Sequence, residues 1–495
     1  VAERNEEFYQ QRILKAQHLQ QRGVELYPAR FARTHTTVQA IQEFVSKHGD
    51  APGEHGEDVV TLAGRVTAHR TMGRATFMDL RDGFGKVQAY FRKDTLGEDG
   101  YEMLNDLDLG DFVGVTGPLF RTRTGEPTVE VKGFTLVSKS MQPPPEKWHG
   151  LTDVETRYRH RYLDLMSSEE VRQTFVARSK VVTAMRRYLD DMGFLEVETP
   201  ILQPQAGGAA ARPFITHYNA MGQDFYLRIA TELHLKRLVV GGFERVYEIG
   251  RIFRNEGLSH KHNPEFTTLE SYQAYADYSD IMIVVENMVA HIAQEVLGAI
   301  QIEFKGQTLD LTPPWRRMTL RQAIMEHAGI DFLAHESTAA LRSAVEAKGV
   351  GVAPSAGFGK LVDELLSTFV EPNLIQPTFL IDYPVELSPL AKRKPDNSRL
   401  VERFEAFAGG MEIANAFSEL NDPVEQRARF THQAQLRAEG DDEAELPDED
   451  FLFALEHGMP PTGGLGMGID RLVMLLTDNP SIREVILFPH LRRKE

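Results

Sequence analysis

The sequence predicts an α+β protein of more than one domain: a small β-barrel, then a longer region of mixed helices and strands. Three observations predict it. The chain has 495 residues, room on length alone for about three domains. Short β-rich runs divided by glycine-containing turns fill residues 59–139, the texture of a small all-β unit. A proline-rich connector, "MQPPPEKW" (Met141–Trp148), separates this block from a stretch that opens on a long helical pattern.

Hydrophobic residues make up 42% and charged residues 26%, the composition of an ordinary globular chain. No apolar run is long enough to span a bilayer, and the charged, amphipathic start, "VAERNEEFYQQRILKAQHLQQRG", does not read as a secretory signal. There are no cysteines, which excludes disulfides and thiolate zinc sites. A cytoplasmic location is expected. The net charge of −17 argues against a generic nucleic-acid coat. Residues 60–140, however, carry 11 Lys/Arg against 11 Asp/Glu, a neutral region in an acidic chain. One locally basic face can still bind a polyanion. The acidic run "EGDDEAELPDED" (Glu439–Asp450) reads as a solvated segment.

Arg4–Arg22 suit a helix stopped by Gly23, and "KHGDAPGEHGED" (Lys47–Asp58) reads as a loop. Residues 1–55 are therefore a helical extension and loop. Residues 56–140 hold the runs "VVTLAGRVTAHR", "ATFMDLRDGFGKVQAYFRK", "DFVGVTGPLFRTRTG" and "PTVEVKGFTLVSK". "RDGFGK" is a hairpin connection, and "EDGYEMLNDL" a short helix between the third and fourth strands. About five strands with one such helix is the pattern of an OB-type barrel. Such barrels stack single-stranded bases on aromatic side chains. Phe77, Tyr90 and Phe91 are the candidates, with Gln88 able to read a base edge; each aromatic could equally be barrel core. Residues 141–155 form the linker and 156–495 the second domain. There, "EEVRQTFVARSKVVTAMRRYLDDMG" closes a helix on Gly193, and "FLEVETPIL" is a strand broken by Pro200.

Three constellations in this second domain carry chemistry. The first is "RNEGLSHKHNPEF" (Arg254–Phe266), between two strand patterns. Most hairpins turn in two to five residues; this one spends about a dozen on charge. In the following "FTTLESY", alternation puts Phe266, Thr268, Glu270 and Tyr272 on one face. The second is "ERFEAFAGGMEIANAFSELNDP" (Glu402–Pro423), where Gly409-Gly410 suits a two-residue turn. Strict register puts Glu405 opposite Ala414, with Glu412 a diagonal neighbour at ~7–8 Å. Two carboxylates at that spacing suit Mg²⁺ carried in on a polyphosphate. Asn415, Phe417 and Glu419 share a face that strict alternation opposes to Glu412. If all five serve one site, a bulge must fall near Ala414. The third is "PPTGGLGMGIDRLVMLLTD" (Pro460–Asp478), a glycine run leading into an apolar helix. Its spacing is G-x-G-x-G, unlike a dinucleotide fingerprint. Arg471, a cation in the first helical turn, calls for an anionic partner.

Together these residues resemble the class II aminoacyl-tRNA synthetases. "RIFRNEG…HNPEFTTLE" is similar to motif 2, "GGLGMGIDRLVML" to motif 3, and "MGFLEVETPIL" to motif 1, the dimer-interface motif. An OB-type domain ahead of the catalytic region is the arrangement of the aspartate, asparagine and lysine subgroup. "GGAAARPFITHYNA", "ATELHLKRLVVGGFERVYEIGRIFRNEG" and "ANAFSELNDP" resemble the lysyl-tRNA synthetases, bacterial in style. Met411, Ala414 and Ala416 vary within the family pattern. The resemblance implies an antiparallel catalytic sheet flanked by helices, a homodimer, and a two-step reaction with ATP, Mg²⁺, lysine and tRNA(Lys).

Residue by residue, the resemblance implies catalytic roles for Arg254, His262 and Arg471. Arg254 grips the α-phosphate and the lysine carboxylate, Glu256 lies near the adenine, and His262 approaches the outer phosphates. Phe266 and Arg471 sandwich the adenine, and Glu405 and Glu412 hold Mg²⁺. Glu232, Glu419 and Tyr272 receive the lysine ε-ammonium. Glu270 and Gly208 sit at its α-amino end, and Asn415 and Phe417 complete the pocket. Phe77, Gln88 and Glu126 sit at the anticodon-reading positions, with Glu130 the alternative to Glu126. An ammonium taken out of water needs carboxylate partners, and an aspartate pocket would need cationic ones. Two other readings are a lysyl-transferase paralogue, which lacks the OB-type domain, and an RNA-binding protein with a dead catalytic domain, which would have lost Arg254, Glu405, Glu412 or Arg471.

Overall fold

A long first strand organises the N-terminal part of the chain. The computed structural model describes residues 6–145, 151–354, 356–438 and 447–492. The end of the proline-rich connector, the acidic run 439–446 and the first residues of the expected N-terminal helix lie outside them. The chain folds as two compact units, 1–168 and 169–495.

In the first unit, a helix Glu6–Gln21 ends before Gly23, whose φ of +78° suits glycine. A second helix, Thr37–His48, starts from a capping box in which Thr36 and Gln39 satisfy each other's backbone N–H. The strands are β1 (His55–Met72), β2 (Ala75–Arg81), β3 (Lys86–Arg92), β4 (Phe112–Arg121), β5 (Pro127–Glu130) and β6 (Gly133–Ser138). Their order is β1-β2-β3-β5-β4-β6, and β1 pairs with β4 as well as β2. One half of β1 serves each partner, so the pairing returns to its starting strand, as in a barrel. Helical turns broken at Gly97 span Lys93–Glu102, and a further turn, Met103–Asp106, follows; they overlap the short helix expected at Glu98–Leu107.

The expected fifth strand is broken in two, giving six. It runs along β4, but the register slips by one residue between Leu119↔Val129 and Thr116↔Gly133. There the N–H of Val131 turns to the carbonyl of Tyr90 on β3. Gly117 lies at this crossing; a Cβ on it would sit 1.9 Å from the Glu130 carbonyl oxygen. Leu62, Leu80, Val87, Phe91 and Val115 fill the barrel.

The second unit contains β7 (Leu195–Glu196), β8 (Leu202–Gln203), β9 (Ile215–Tyr218), β10 (Gln223–Leu227), β11 (Arg245–Phe253), β12 (Glu265–Ala274), β13 (Gln301–Phe304), β14 (Gln307–Asp310), β15 (Arg316–Thr319), β16 (Thr378–Pro384), β17 (Leu400–Ala408), β18 (Met411–Ser418) and β19 (Thr462–Gly468). Eight form one sheet in the order β15-β16-β17-β18-β19-β12-β11-β7. All neighbours are antiparallel except the edge pairs β15/β16 and β7/β11. The "FLEVETPIL" segment thus gives only the two-residue β7 before Pro200.

The sheet has two unlike faces. Leu269, Ala406, Ala414, Ala416, Leu465 and Met467 point to one side, into a core shared with helices Glu169–Asp191, Tyr278–Leu297 and Ile469–Leu476. Alternation sends Glu270, Tyr272, Glu405, Asn415 and Phe417 to the other side. The glycine run is itself a central strand, β19, between β18 and β12. Its alternate residues Gly464, Gly466 and Gly468 present no side chain to that second face.

Candidate active site

The polar face of the eight-stranded sheet gathers three groups of side chains. The innermost is acidic. On β12, the Tyr272 hydroxyl lies 3.4 Å from Glu270 Oε2, and Glu270 Oε1 accepts the Thr231 N–H at 3.0 Å. Thr231 leads into the helix Glu232–Val240, which brings Glu232 beside them. One turn on, Lys236 donates from Nζ to Glu232 Oε1 at 2.5 Å and pairs with Glu419, just past β18. The Lys236 ammonium also lies 5.5 Å from the Phe417 ring centroid. Lys236 is 0% exposed and Glu419 1%. Among the described residues Glu419 Oε1 has no hydrogen-bond partner. It faces Gly464, where a Cβ would come within 1.8 Å of it. Gly208, at φ +87°, packs against Glu232, whose Cβ would lie 3.3 Å from one added at 208.

Charge in this pocket is unbalanced. Three carboxylates lie here: Glu232 and Glu419 share the Lys236 ammonium, and Glu270 instead accepts the Thr231 N–H. Burial pushes the Glu270 carboxyl up to about 7, with Glu232 adding to the rise. Burial also raises Glu232 and, strongly, Glu419, although Lys236 pulls both back. Burial opposes the Lys236 charge, but the two glutamates outweigh it and hold the ammonium protonated. Buried carboxylates in excess of their cations keep protons rather than charge.

The second group surrounds the hairpin between β11 and β12. Its loop, 254–264, closes through the Arg254 N–H to the Pro264 carbonyl at 2.8 Å. The Arg254 guanidinium lies 5.3 Å from the Phe266 ring centroid. Among the described residues it pairs with no carboxylate. Burial depresses its pKa, opposed by Glu256, Glu270 and Glu412 through space. Glu256 and His262 are exposed. The His262 Nδ1 lies 2.9 Å from the Ser259 hydroxyl. Partial desolvation of the ring and then Arg471 lower the His262 pKa. Lys261 reaches out of the loop to Glu371 at 2.5 Å.

The third group lies on the hairpin β17–β18. Strict alternation expects Glu405 opposite Ala414; the structure pairs it with Asn415. The reason is a bulge. Phe407 still pairs with Glu412, but Ala406 pairs with Ala414, leaving Ile413 as the extra residue. The bulge required for a single site is therefore present beside Ala414. It brings Glu405, Asn415 and Phe417 to one side. Arg403 spans Glu405 Oε1 at 2.6 Å and Asn415 Oδ1 at 2.9 Å, and the Tyr383 hydroxyl donates to Glu405 Oε2 at 2.9 Å. Burial raises Glu405 to about 7; Arg403 opposes the rise and Glu412 adds to it. Glu412 Oε2 accepts from Arg471 at 2.8 Å. Arg471 thus lies against Glu412 here, while Arg254 is the cation over Phe266. Asp470 fixes the start of the following helix by accepting the Thr267 N–H at 2.7 Å and Arg178 at 2.6 Å.

Glu412 acts on Glu405 through space, and two neighbouring carboxylates are oxygen donors of the kind a hard divalent cation takes. Among the described residues no group of three His, Cys, Asp or Glu forms a protein-only metal cage. Mg²⁺ commonly binds through one or two carboxylates plus substrate phosphates, so Glu405 and Glu412 suit it.

The first unit carries a separate candidate surface. Phe77 stacks on Tyr90, with centroids 4.7 Å apart. Tyr90 meets Phe120 edge-on at 6.0 Å, and Phe120 stacks on His55 at 5.2 Å. Phe91 is instead fully buried in the barrel, as its alternation with Tyr90 requires. Gln88 accepts from Thr128 at 3.2 Å. Glu126 pairs with Lys86 at 3.1 Å and Glu130 with Lys132 at 2.9 Å.

The sequence reading missed three members of the polar site: Lys236, Arg403 and Tyr383. Lys236 had a signal, its i,i+4 spacing from Glu232 on one helix. Arg403 had its alternation with Glu405. Tyr383 had none, because only the β16–β17 pairing brings it near.

Comparison with known proteins defines the class. The chain belongs to the class II tRNA synthetases (D, K and N), a family that matches residues 153–492. An OB-fold nucleic acid binding domain matches residues 60–137. Within the class, the chain is similar to the lysine–tRNA ligase of Dehalococcoides mccartyi strain BAV1, 57% identical over 98% of this chain and 97% of that one. It is also 55% identical to that of Moorella thermoacetica over the same shares, and 54% identical to that of Roseiflexus castenholzii over 99% of each.

Proposed function

We propose that this chain is a lysine–tRNA ligase whose buried acidic pocket selects the substrate by the charge of its side chain. The observation that carries the selectivity is the unpartnered Glu419 oxygen, in a pocket of three carboxylates and one bonded ammonium. A substrate ε-ammonium entering beside Glu232, Glu419 and Tyr272 supplies the missing cation. Glu270 and Gly208 then border the α-amino group, while Asn415 and Phe417 wall the side chain. Lysine thereby arrives with its carboxylate toward Arg254.

The reaction needs positioning and charge neutralisation more than a nucleophilic side chain. In the first step the lysine carboxylate oxygen attacks the α-phosphorus of ATP. The bond to the β-phosphate oxygen breaks, leaving lysyl-adenylate and pyrophosphate. Arg254, a half-buried cation with no carboxylate partner among the described residues, suits the pentavalent phosphate. Phe266 and Arg471 suit the two faces of the adenine, Glu256 its edge, and His262 the outer phosphates. Mg²⁺ held at Glu405 and Glu412 would neutralise the phosphate charge. In the second step a hydroxyl at the 3′ end of tRNA(Lys) attacks the lysyl carbonyl, and AMP leaves. The Phe77–Tyr90 stack, with Gln88 and Glu126, suits single-stranded anticodon bases in the first unit.

A homodimer through the region of Pro200 is part of this proposal, supported by the exposed Leu195, Ile201 and Leu202 around it. So is a cytoplasmic location. Among the described residues no helix is long and apolar enough to cross a membrane. The test is amino-acid-dependent ATP–pyrophosphate exchange across the amino acids, followed by charging of tRNA(Lys). Exchange with lysine and no other is expected. Exchange driven by aspartate, or by none, overturns the reading.

A further inference from the structure

Lys236 has no role in the binding scheme above, yet it occupies the centre of the acidic pocket. It is a fully buried lysine on the same helical face as Glu232. Its ammonium reaches the two carboxylates that suit the substrate's own ammonium. A buried ammonium has a large desolvation cost unless it is paired, so packing alone does not account for it. The groups around it come from every neighbouring element: Glu232 on its own helix, Glu419 after β18, and Glu270 with Tyr272 on β12. Arg403 on β17 acts on Glu232 through space. The Phe417 and Phe451 rings lie 5.5 and 5.8 Å from Nζ.

Resting on the lysine-pocket reading, we propose that Lys236 is a specificity-setting positioning residue. Its fixed ammonium balances one charge of the Glu232–Glu419 pair, so that this pair lacks one cation and is completed by the substrate's ε-ammonium. Without Lys236 the excess negative charge would be met by protons, and a protonated carboxyl is a poor partner for an ammonium. Lys236 is thus a permanent partner of the substrate's charge and not its competitor. It also bridges the two carboxylates, while Glu419 lies against the side-chain-free Gly464.

The experiment compares K236M and K236R with wild type in lysine-dependent ATP–pyrophosphate exchange, after wild-type exchange with lysine is established. Without that exchange the lysine reading itself fails, whatever the variants do. K236M is expected to raise the KM for lysine at least tenfold while the KM for ATP stays within twofold. By calorimetry in buffers of different ionisation enthalpy, it is expected to release about one more proton on binding lysine. K236R, which keeps the charge, is expected to retain the wild-type proton count. An unchanged or lower KM for lysine in K236M overturns the proposal, as does a proton count equal to wild type. Should K236M fail to fold, the double variant E419Q/K236M, which removes one charge of each sign, is expected to fold. Failure of the double variant where E419Q alone folds also overturns the proposal.

Discussion

Gly464→Ala is a small change aimed at the acidic pocket. Gly464 lies on β19 between Phe417 and Tyr272, and its φ is not positive, so the backbone accepts alanine. The new Cβ would fall 1.8 Å from Glu419 Oε1 and 2.7 Å from Tyr272 Cε1. Ordinary contacts begin near ~3.5 Å, so the carboxylate must retreat by roughly 1.5 Å. Both clashing atoms are side-chain tips, so the strand keeps its place and the pocket takes the strain. Glu419 is 1% exposed and cannot swing into water. A misplacement of about 1 Å at a binding group costs on the order of 10²-fold in rate. The expected result is a fall of about 100-fold in kcat/KM for lysine, about 2.7 kcal/mol. The dissociation constant of ATP, measured without lysine, should move less than threefold. Steady-state exchange kinetics and equilibrium ATP binding measure the two quantities. A kcat/KM within threefold of wild type would refute the reasoning, as would an equal loss of ATP affinity.

Three further expectations follow from other parts of the molecule. Glu270 is raised to about 7 in the folded protein against ~4.3 unfolded, so it is protonated when folded and ionised when unfolded between these values. Its contribution to stability is therefore greatest below pH ~4 and declines by about 3 kcal/mol as pH rises to 7. Because lysine needs the ionised form, loss of the Glu270 proton alone should tighten lysine binding by up to about tenfold per pH unit up to pH 7, and more steeply where Glu232 and Glu419, shifted the same way, also release protons. Titration calorimetry across pH 5.5–8 reads this, and a flat profile contradicts it. Phe77→Ala removes one ring of the Phe77–Tyr90 stack. It should weaken tRNA(Lys) binding by about 1–3 kcal/mol, while lysine-dependent exchange without tRNA stays within twofold. Parallel losses in both assays would count against it. Asp470→Ala removes the acceptor of the Thr267 N–H and the carboxylate partner of Arg178, which keeps the Val485 carbonyl and the Thr267 hydroxyl. It should cost about 3 kcal/mol in denaturant unfolding, and a cost below 1 kcal/mol would show the tie to be dispensable.

How far the sequence carried the site varied with the physical signal behind each residue. The bulge beside Ala414 was legible because Glu405, Glu412, Asn415, Phe417 and Glu419 cannot share one site under strict alternation. Its exact partner change, Glu405 to Asn415, was not, since nothing local marks Ile413 as the extra residue. The glycine run was legible as a place of close approach to backbone, and in the structure Glu419 and Tyr272 are what approach it at Gly464. That it is a central strand was hidden, because glycine has low strand propensity and the alternating Leu465 and Met467 become a signal only once the core is known. In the barrel, Tyr90 and Phe91 are adjacent and must point opposite ways, so only one of them was ever available to stack a base. Lys236 was overlooked for a statistical reason: lysines are rarely fully buried, and a helical Glu–Lys pair usually marks a solvated face.

The central claim is that this pocket recognises a positive charge. Norleucine has the lysine side chain without its ammonium, so the binding of the two amino acids at pH 8 tests the claim most directly. A site built to pair with a polar group rejects the analogue lacking it by about 10⁴-fold. At least a 10³-fold preference for lysine is expected in equilibrium binding. Affinities within tenfold of each other would contradict it.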